Sequence, residues 1–184
     1  MKLVSAFVVA AGLALPAHAQ RDAVSADLSP EIAGQVFART VADICVPAVS
    51  GQSISSLGAV QQGKLRRTQD AATLKQAGAS SDETVWDVMD GKGVVTVREK
   101  TGECVVSVYG APAKATIDGT AQVLKALPGA KNVRPVSTGP LKQATTFEAG
   151  AQSIVVEVIG SEPGAPGHQS RFSVVTARML PVRQ

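Results

Sequence analysis

The chain is short of the residues that most enzymes use for proton transfer and metal binding. Its 184 residues include two histidines, two cysteines and six aromatic side chains. His18 falls in an N-terminal stretch that reads as a leader, so His168 alone remains beyond it. A Ser-His-Asp or Cys-His arrangement could draw only on that residue, and a zinc site would lack ligands. His168 lies among Pro163, Gly164, Pro166 and Gly167, where an exposed histidine without a role is the plain expectation. Charge of one sign is also scarce. Eighteen Lys and Arg face fifteen Asp and Glu, a formal +3 that becomes +2 once Lys2 leaves with the leader. A balance so small and dispersed argues against nucleic acid as a partner. Disorder is disfavoured by 45% hydrophobic and only 18% charged residues.

Long apolar runs are missing too, apart from one at the start. Lys2 gives a positive n-region, Leu3 to Leu15 are almost wholly apolar, Pro16 breaks the run, and Ala17-His18-Ala19 fits signal peptidase. Residues 1–19 therefore read as a signal peptide, because the run is too short for the roughly 20 residues that span a bilayer. No cysteine follows the junction, which disfavours a lipoprotein. Further along, Ile154 to Ile159 is interrupted by Glu157, so no transmembrane segment is expected after the leader. The product reads as periplasmic or secreted, with a flexible arm over 20–28 and a single domain over 29–184.

Export gives Cys45 and Cys104 a meaning. In an oxidising compartment two cysteines without a CxxC spacing read as a structural disulfide. Ser29-Pro30-Glu31 opens a helix in which Ile32, Val36, Phe37, Val41 and Ile44 recur at helical spacing, with Pro47 as its stop. Residues 51–81 carry a weaker signal, with short helices hinted around Ile54–Val60 and Ala71–Ala77. Thr84–Asp90 and Val94–Glu99 flank a Gly-rich hairpin turn, and Cys104–Tyr109 follows as a third strand. Pro112 opens a second helix carrying Ile117, Ala121 and Leu124. Strands are then expected near 133–136, 142–148, 153–159 and 171–180. Strands in runs rather than alternating with helices mean α+β, here a mostly antiparallel sheet with two main helices on one face. No internal repeat is clear in the residues, although the strand runs on either side of the second helix are alike in layout.

No recognisable catalytic or cofactor motif is present. Gly58 to Lys64 has P-loop spacing, but Leu65 stands where Ser or Thr would hold magnesium. GxSxG and HExxH are absent. No catalytic residue, cofactor or metal is assigned. Asp87 and Glu99 lie on strands expected to pair, and together with Glu157 and His168 they are the groups a hydrolase without a familiar motif could use. Lys64, Arg66 and Arg67 form the one basic cluster, suited to an anionic surface such as lipid headgroups. Trp86 shares a strand face with Val88 and is expected to be buried; if Trp86 and Tyr109 were instead exposed, both would serve as interface anchors. Arg171–Leu180 is a candidate edge for strand addition.

Gly102 to Gly110, followed by a helix opening at Pro112, resembles the corresponding stretch of small exported alphaproteobacterial proteins that have no agreed activity. The resemblance implies a disulfide and an α+β fold, and transfers no functional residue. The reading that results is a non-catalytic exported domain that binds a protein or small molecule in the cell envelope. A small exported hydrolase and an envelope-associated structural protein are its alternatives.

Overall fold

A computed structural model describes residues 28–165 and 172–182. The expected signal segment, all of the arm but Leu28, and His168 lie outside the described residues. Leu28 itself packs against the core. The chain forms one eight-stranded antiparallel sheet with helices on both faces, the larger two on the same side.

Helix α1 (Pro30–Val49) starts as the sequence dictates. Ser29 Oγ accepts the Ile32 N–H at 3.3 Å, Pro30 takes the first position and Glu31 the first turn. Pro47 does not stop it, contrary to expectation. A proline inside a helix clashes with the carbonyl four residues back, and here the segment Val41–Cys45 widens to a π-turn, with the Val46 N–H bonding Val41 O. The helix passes Pro47 and ends at Val49. It is long and apolar enough to cross a membrane, but 61% of its apolar window is buried, so that composition serves the core. The widened turn also presents Cys45, 1% exposed, to Cys104 on the sheet, with 5.4 Å between the Cα atoms.

After a short helix α2 (Gly58–Gln61) comes strand β1 (Leu65–Arg67), then helix α3 (Ala71–Ala77). Asp70 caps α3 by accepting the Thr73 N–H at 2.8 Å, and Gly78 closes it in the left-handed conformation. Strands β2 (Thr84–Val88), β3 (Val95–Lys100) and β4 (Glu103–Tyr109) complete a first meander. Helix α4 (Ala113–Ala126) leads to a second meander of β5 (Ala130–Gly139), β6 (Lys142–Ala149), β7 (Gln152–Ser161) and β8 (Val174–Pro181). The strand order is β1-β2-β3-β4-β8-β7-β6-β5.

Each meander is thus preceded by a helix, and the last strands of the two meanders pair with each other. Arg171–Leu180 was expected to be an edge; its described part forms β8, which is flanked on both sides by β4 and β7. The edges are β1 and β5. Strand β5 carries two bulges, Asn132 at φ 53° and Pro135, all features that discourage further pairing.

The core lies between the sheet and the pair α1/α4. Phe37, Val97, Val106, Phe147, Val156 and Met179 are buried there, together with the disulfide. Aromatics are so few that β-branched valines fill most of it, as suits a pleated surface. Close approach of helix to sheet depends on Gly160: a Cβ there would lie 2.7 Å from Ala113 Cβ and 3.3 Å from Ile117 Cδ1.

Two outcomes follow from this packing. Reducing the bridge, which closes a 59-residue separation, should cost up to about 4 kcal/mol on the chain-entropy account. Urea unfolding with and without a reductant measures this, and coincident midpoints would count against it. Gly160→Val should overpack the α4 contact and cost about 1–3 kcal/mol, read as a lowered urea midpoint at unchanged slope.

Candidate functional site

Strand alternation and register decide where the candidate residues go. On β2, Trp86 and Val88 face the helices and Asp87 faces away, as their pairing with Val97, Leu65 and Thr96 shows. Trp86 is 6% exposed, and its indole N–H donates to Glu99 Oε2 at 3.2 Å. It is a core residue, as expected, and its burial removes it as an interface anchor. Glu99 also accepts the Ile54 N–H at 3.2 Å. One carboxylate therefore ties the loop after α1 to the tryptophan. Tyr109 faces away from the two main helices and donates its hydroxyl to Gln76 O at 2.9 Å. It fastens the end of α3 to β4.

The acids do not converge. Glu99 pairs with Thr84 and shares the helix side with Trp86, whereas Asp87 is on the opposite side, so the sheet separates them. Glu157 is on Asp87's side, but β3, β4 and β8 intervene between their strands, a span of roughly 19 Å at normal strand spacing. Asp87, Glu99 and Glu157 therefore form no catalytic pair with one another.

The basic cluster is divided in a similar way. Arg66 and Arg67 are consecutive on edge strand β1, not on a helix face or loop. Their pairing with Asp87 and Trp86 sends them to opposite sides of the sheet. Lys64 precedes them, exposed, at the end of the turn after α2. The P-loop spacing falls on α2, that turn and the start of β1, so a helix occupies the loop itself and a strand stands where the motif needs a helix.

The side of the sheet away from α1 and α4 is itself divided. Over the first meander it is covered by α3 and the loop that follows. Val85 and Val105 are 1% and 4% exposed there. Arg98 donates to Gly78 O at 3.2 Å and meets Glu83 at 3.3 Å. Lys100 pairs with Asp82 at 2.6 Å. Burial opposes ionisation of Glu83, but hydrogen bonds from Ser80 and the Arg98 charge outweigh it and hold the carboxyl below its ordinary value. Hydrogen bonds from Lys100 and Ser80 lower Asp82 to about 2.

Over the second meander no described element covers the corresponding side. Val155, Ile159, Val174 and Leu180 lie there, half-buried or, for Ile159, 44% exposed. Two ion pairs, Lys142–Glu157 and Arg178–Glu103, both 2.6 Å, hold the charges on this side; Glu157 and Arg178 are cross-strand neighbours that lie between the Val155/Leu180 pair and Ile159. The sequence held the signal for the strip in the alternation of β7, where Val155 and Ile159 interleave with core residues. It could not show that no described element would cover them. On the helix side, a groove of about 420 Å³ runs between α1 and α4.

No protein-family model matches the chain, and the search of curated proteins gives no match. One solved structure, a chain described as the lipoprotein LppA from Mycobacterium tuberculosis, aligns with 89% of this chain and 85% of its own length. The identity is 12% and the TM-score 0.26; a likeness of that size carries no argument.

The Asp82 and Glu83 contacts make a pH prediction. Both carboxyls have folded values below their ordinary ones of 3.8 and 4.5. Their contribution is therefore present above those values and is lost as pH falls through the lowered ones. Asp82→Asn should lose less stability than the parent between pH 4 and pH 2. Urea midpoints across that range check it, and parallel profiles would contradict it.

Proposed function

We propose that the chain is an exported, disulfide-stapled domain that acts by binding, with the uncovered side of β5–β8 as its contact surface for a protein partner in the cell envelope. The observation that carries this reading is the contrast between the two meanders. The first has both sides of its sheet covered, whereas the second keeps Val155, Ile159 and Leu180 partly in water on either side of the ion-paired Glu157 and Arg178. Apolar residues left partly in water on a regular sheet, among charges that already have partners, suit a protein contact.

Export is supported by the leader pattern of residues 1–19 and by a disulfide in the core, a bond that persists outside the reducing cytosol. The likeness of residues 102–112 to small exported alphaproteobacterial proteins belongs to the same reading. Division of the basic cluster between the two sides of the sheet counts against a lipid-anchored structural role. Separation of Asp87, Glu99 and Glu157 counts against a hydrolase built on those acids.

A photo-crosslinking residue at Ile159, placed in the exported protein in cells, should capture a discrete partner visible by mass spectrometry. The same residue at Gln76, exposed on α3 over the first meander, should not. Ile159→Asp with Leu180→Asp should abolish the capture while leaving the circular dichroism spectrum unchanged. Equal yields from both positions, or none from Ile159, would defeat the proposal.

A further inference from the structure

The helix side carries a different and more regular pattern. Glu31, Gln35 and Arg39 are spaced four residues apart on α1, so they form one ridge along its solvent side. All three are exposed and line the groove between α1 and α4. Neither Glu31 nor Arg39 has an ion-pair partner among the described residues. Ile32 was expected on the buried stripe of α1; it lies instead on the solvent side beside this ridge, 48% exposed. The buried stripe is made by Ala33, Phe37 and Val41.

The floor of the groove is built from Gly34, Ala38, Thr116 and Gly119. Thr116 is 4% exposed, and its hydroxyl oxygen has no hydrogen-bond partner among the described residues. The helices approach closely there, since a Cβ on Gly34 would lie 2.8 Å from that oxygen. A shallow channel of small residues is therefore bordered by a ridge with an acid at one end, a base at the other and an amide in the middle.

We infer that this surface binds a second copy of the chain, with a two-fold axis passing by Gln35. The charges argue for that occupant. Glu31 and Arg39 lie at equal distances on either side of Gln35, about 6 Å each at the helical rise. Two such ridges packed antiparallel place Glu31 of each copy against Arg39 of the other, and the two Gln35 side chains meet at the axis. Ridges of the i, i+4 kind pack into one another's grooves at a steep crossing, and the small residues of the floor leave room for the incoming ridge. Exposed Ile32 adds apolar area on both sides. The two helices present a surface of roughly 30 by 20 Å. That is on the order of 600 Å² per copy, at the lower end for a specific interface, so the dimer is reversible.

The test uses the mature, oxidised protein in sedimentation equilibrium. The wild type should move from one to two protomer masses as concentration rises through the micromolar range. Glu31→Arg and Arg39→Glu should each weaken the dimer at least tenfold, because each places like charges across the axis. The double reversal should restore it, because it rebuilds both pairs with their signs exchanged. Gln35→Cys, at the axis, should form an intermolecular disulfide on a non-reducing gel, whereas Lys75→Cys on α3 should not. Circular dichroism of each variant confirms folding. A wild type that stays at one protomer mass overturns the proposal. So does a double reversal that fails to restore the dimer, or equal cross-linking at positions 35 and 75.

Discussion

The pairing of β4 with β8 is the contact on which the rest of the molecule depends. It joins the final strands of two meanders through six residue pairs, from Cys104↔Met179 to Tyr109↔Val174. These partners are about 65 to 75 positions apart in sequence, so their contact requires a large loop to close before any local reward arrives. Val106, Val108, Val175 and Ala177 line the helix side of this seam and are almost completely buried. The Cys45–Cys104 bridge ties α1 to the first residue pair of the same seam. Helix α4 is constrained by it as well. It leaves β4 and must reach β5 at the far edge, so it crosses β8, β7 and β6. Gly160 on β7 is where that crossing comes closest.

A helix followed by four antiparallel strands occurs on each side of this seam, and antiparallel pairing of equivalent strands relates the two units by a local two-fold. The units differ where it matters for binding. Between β1 and β2 the first has α3 and its loop, held by Tyr109, Arg98 and Lys100. The second joins β5 to β6 and β6 to β7 by tight turns, at 140–141 and 150–151, and no described element folds over its outer side. Removal of apolar surface from water favours burial at roughly 25 cal/mol per Å². A strip left in water after folding is thus a standing driving force for association.

Much of this was legible in the sequence, and the failures have particular causes. The helices beginning at Ser29 and Pro112 and the hairpin at Gly91 follow from capping and turn chemistry, which are local. Strand β1 was missed because Leu65 is the only buried residue in its three, too few to show a period. Strand β5 runs well beyond residues 133–136 because an exposed edge needs no apolar alternation; nearly all of it faces water. Interior placement of β8 depends on a long-range pairing that no local pattern encodes. Parity, by contrast, was available. Glu99 alternates in step with Val95 and Val97, and Asp87 out of step with Trp86 and Val88, so the separation of the two acids could have been read directly. The same rule splits Arg66 from Arg67, where closeness in sequence had suggested a single patch.

The two surfaces left open by the fold differ in a way that bears on how they could work together. The helix ridge of Glu31, Gln35 and Arg39 is complementary to itself. The strip of Val155, Ile159 and Leu180 is crossed by charges that already have partners, Lys142 with Glu157 and Arg178 with Glu103. A self-complementary surface suits a copy of the same chain, whereas a strip whose charges are internally satisfied leaves shape and apolar area to select an unlike partner. The sheet lies between these surfaces, so they point in opposite directions. A dimer formed through the ridges would leave both sheet strips outward, at opposite ends of the assembly. Two weak contacts on one multivalent partner then act at a high effective concentration, so neither strip needs a large area of its own.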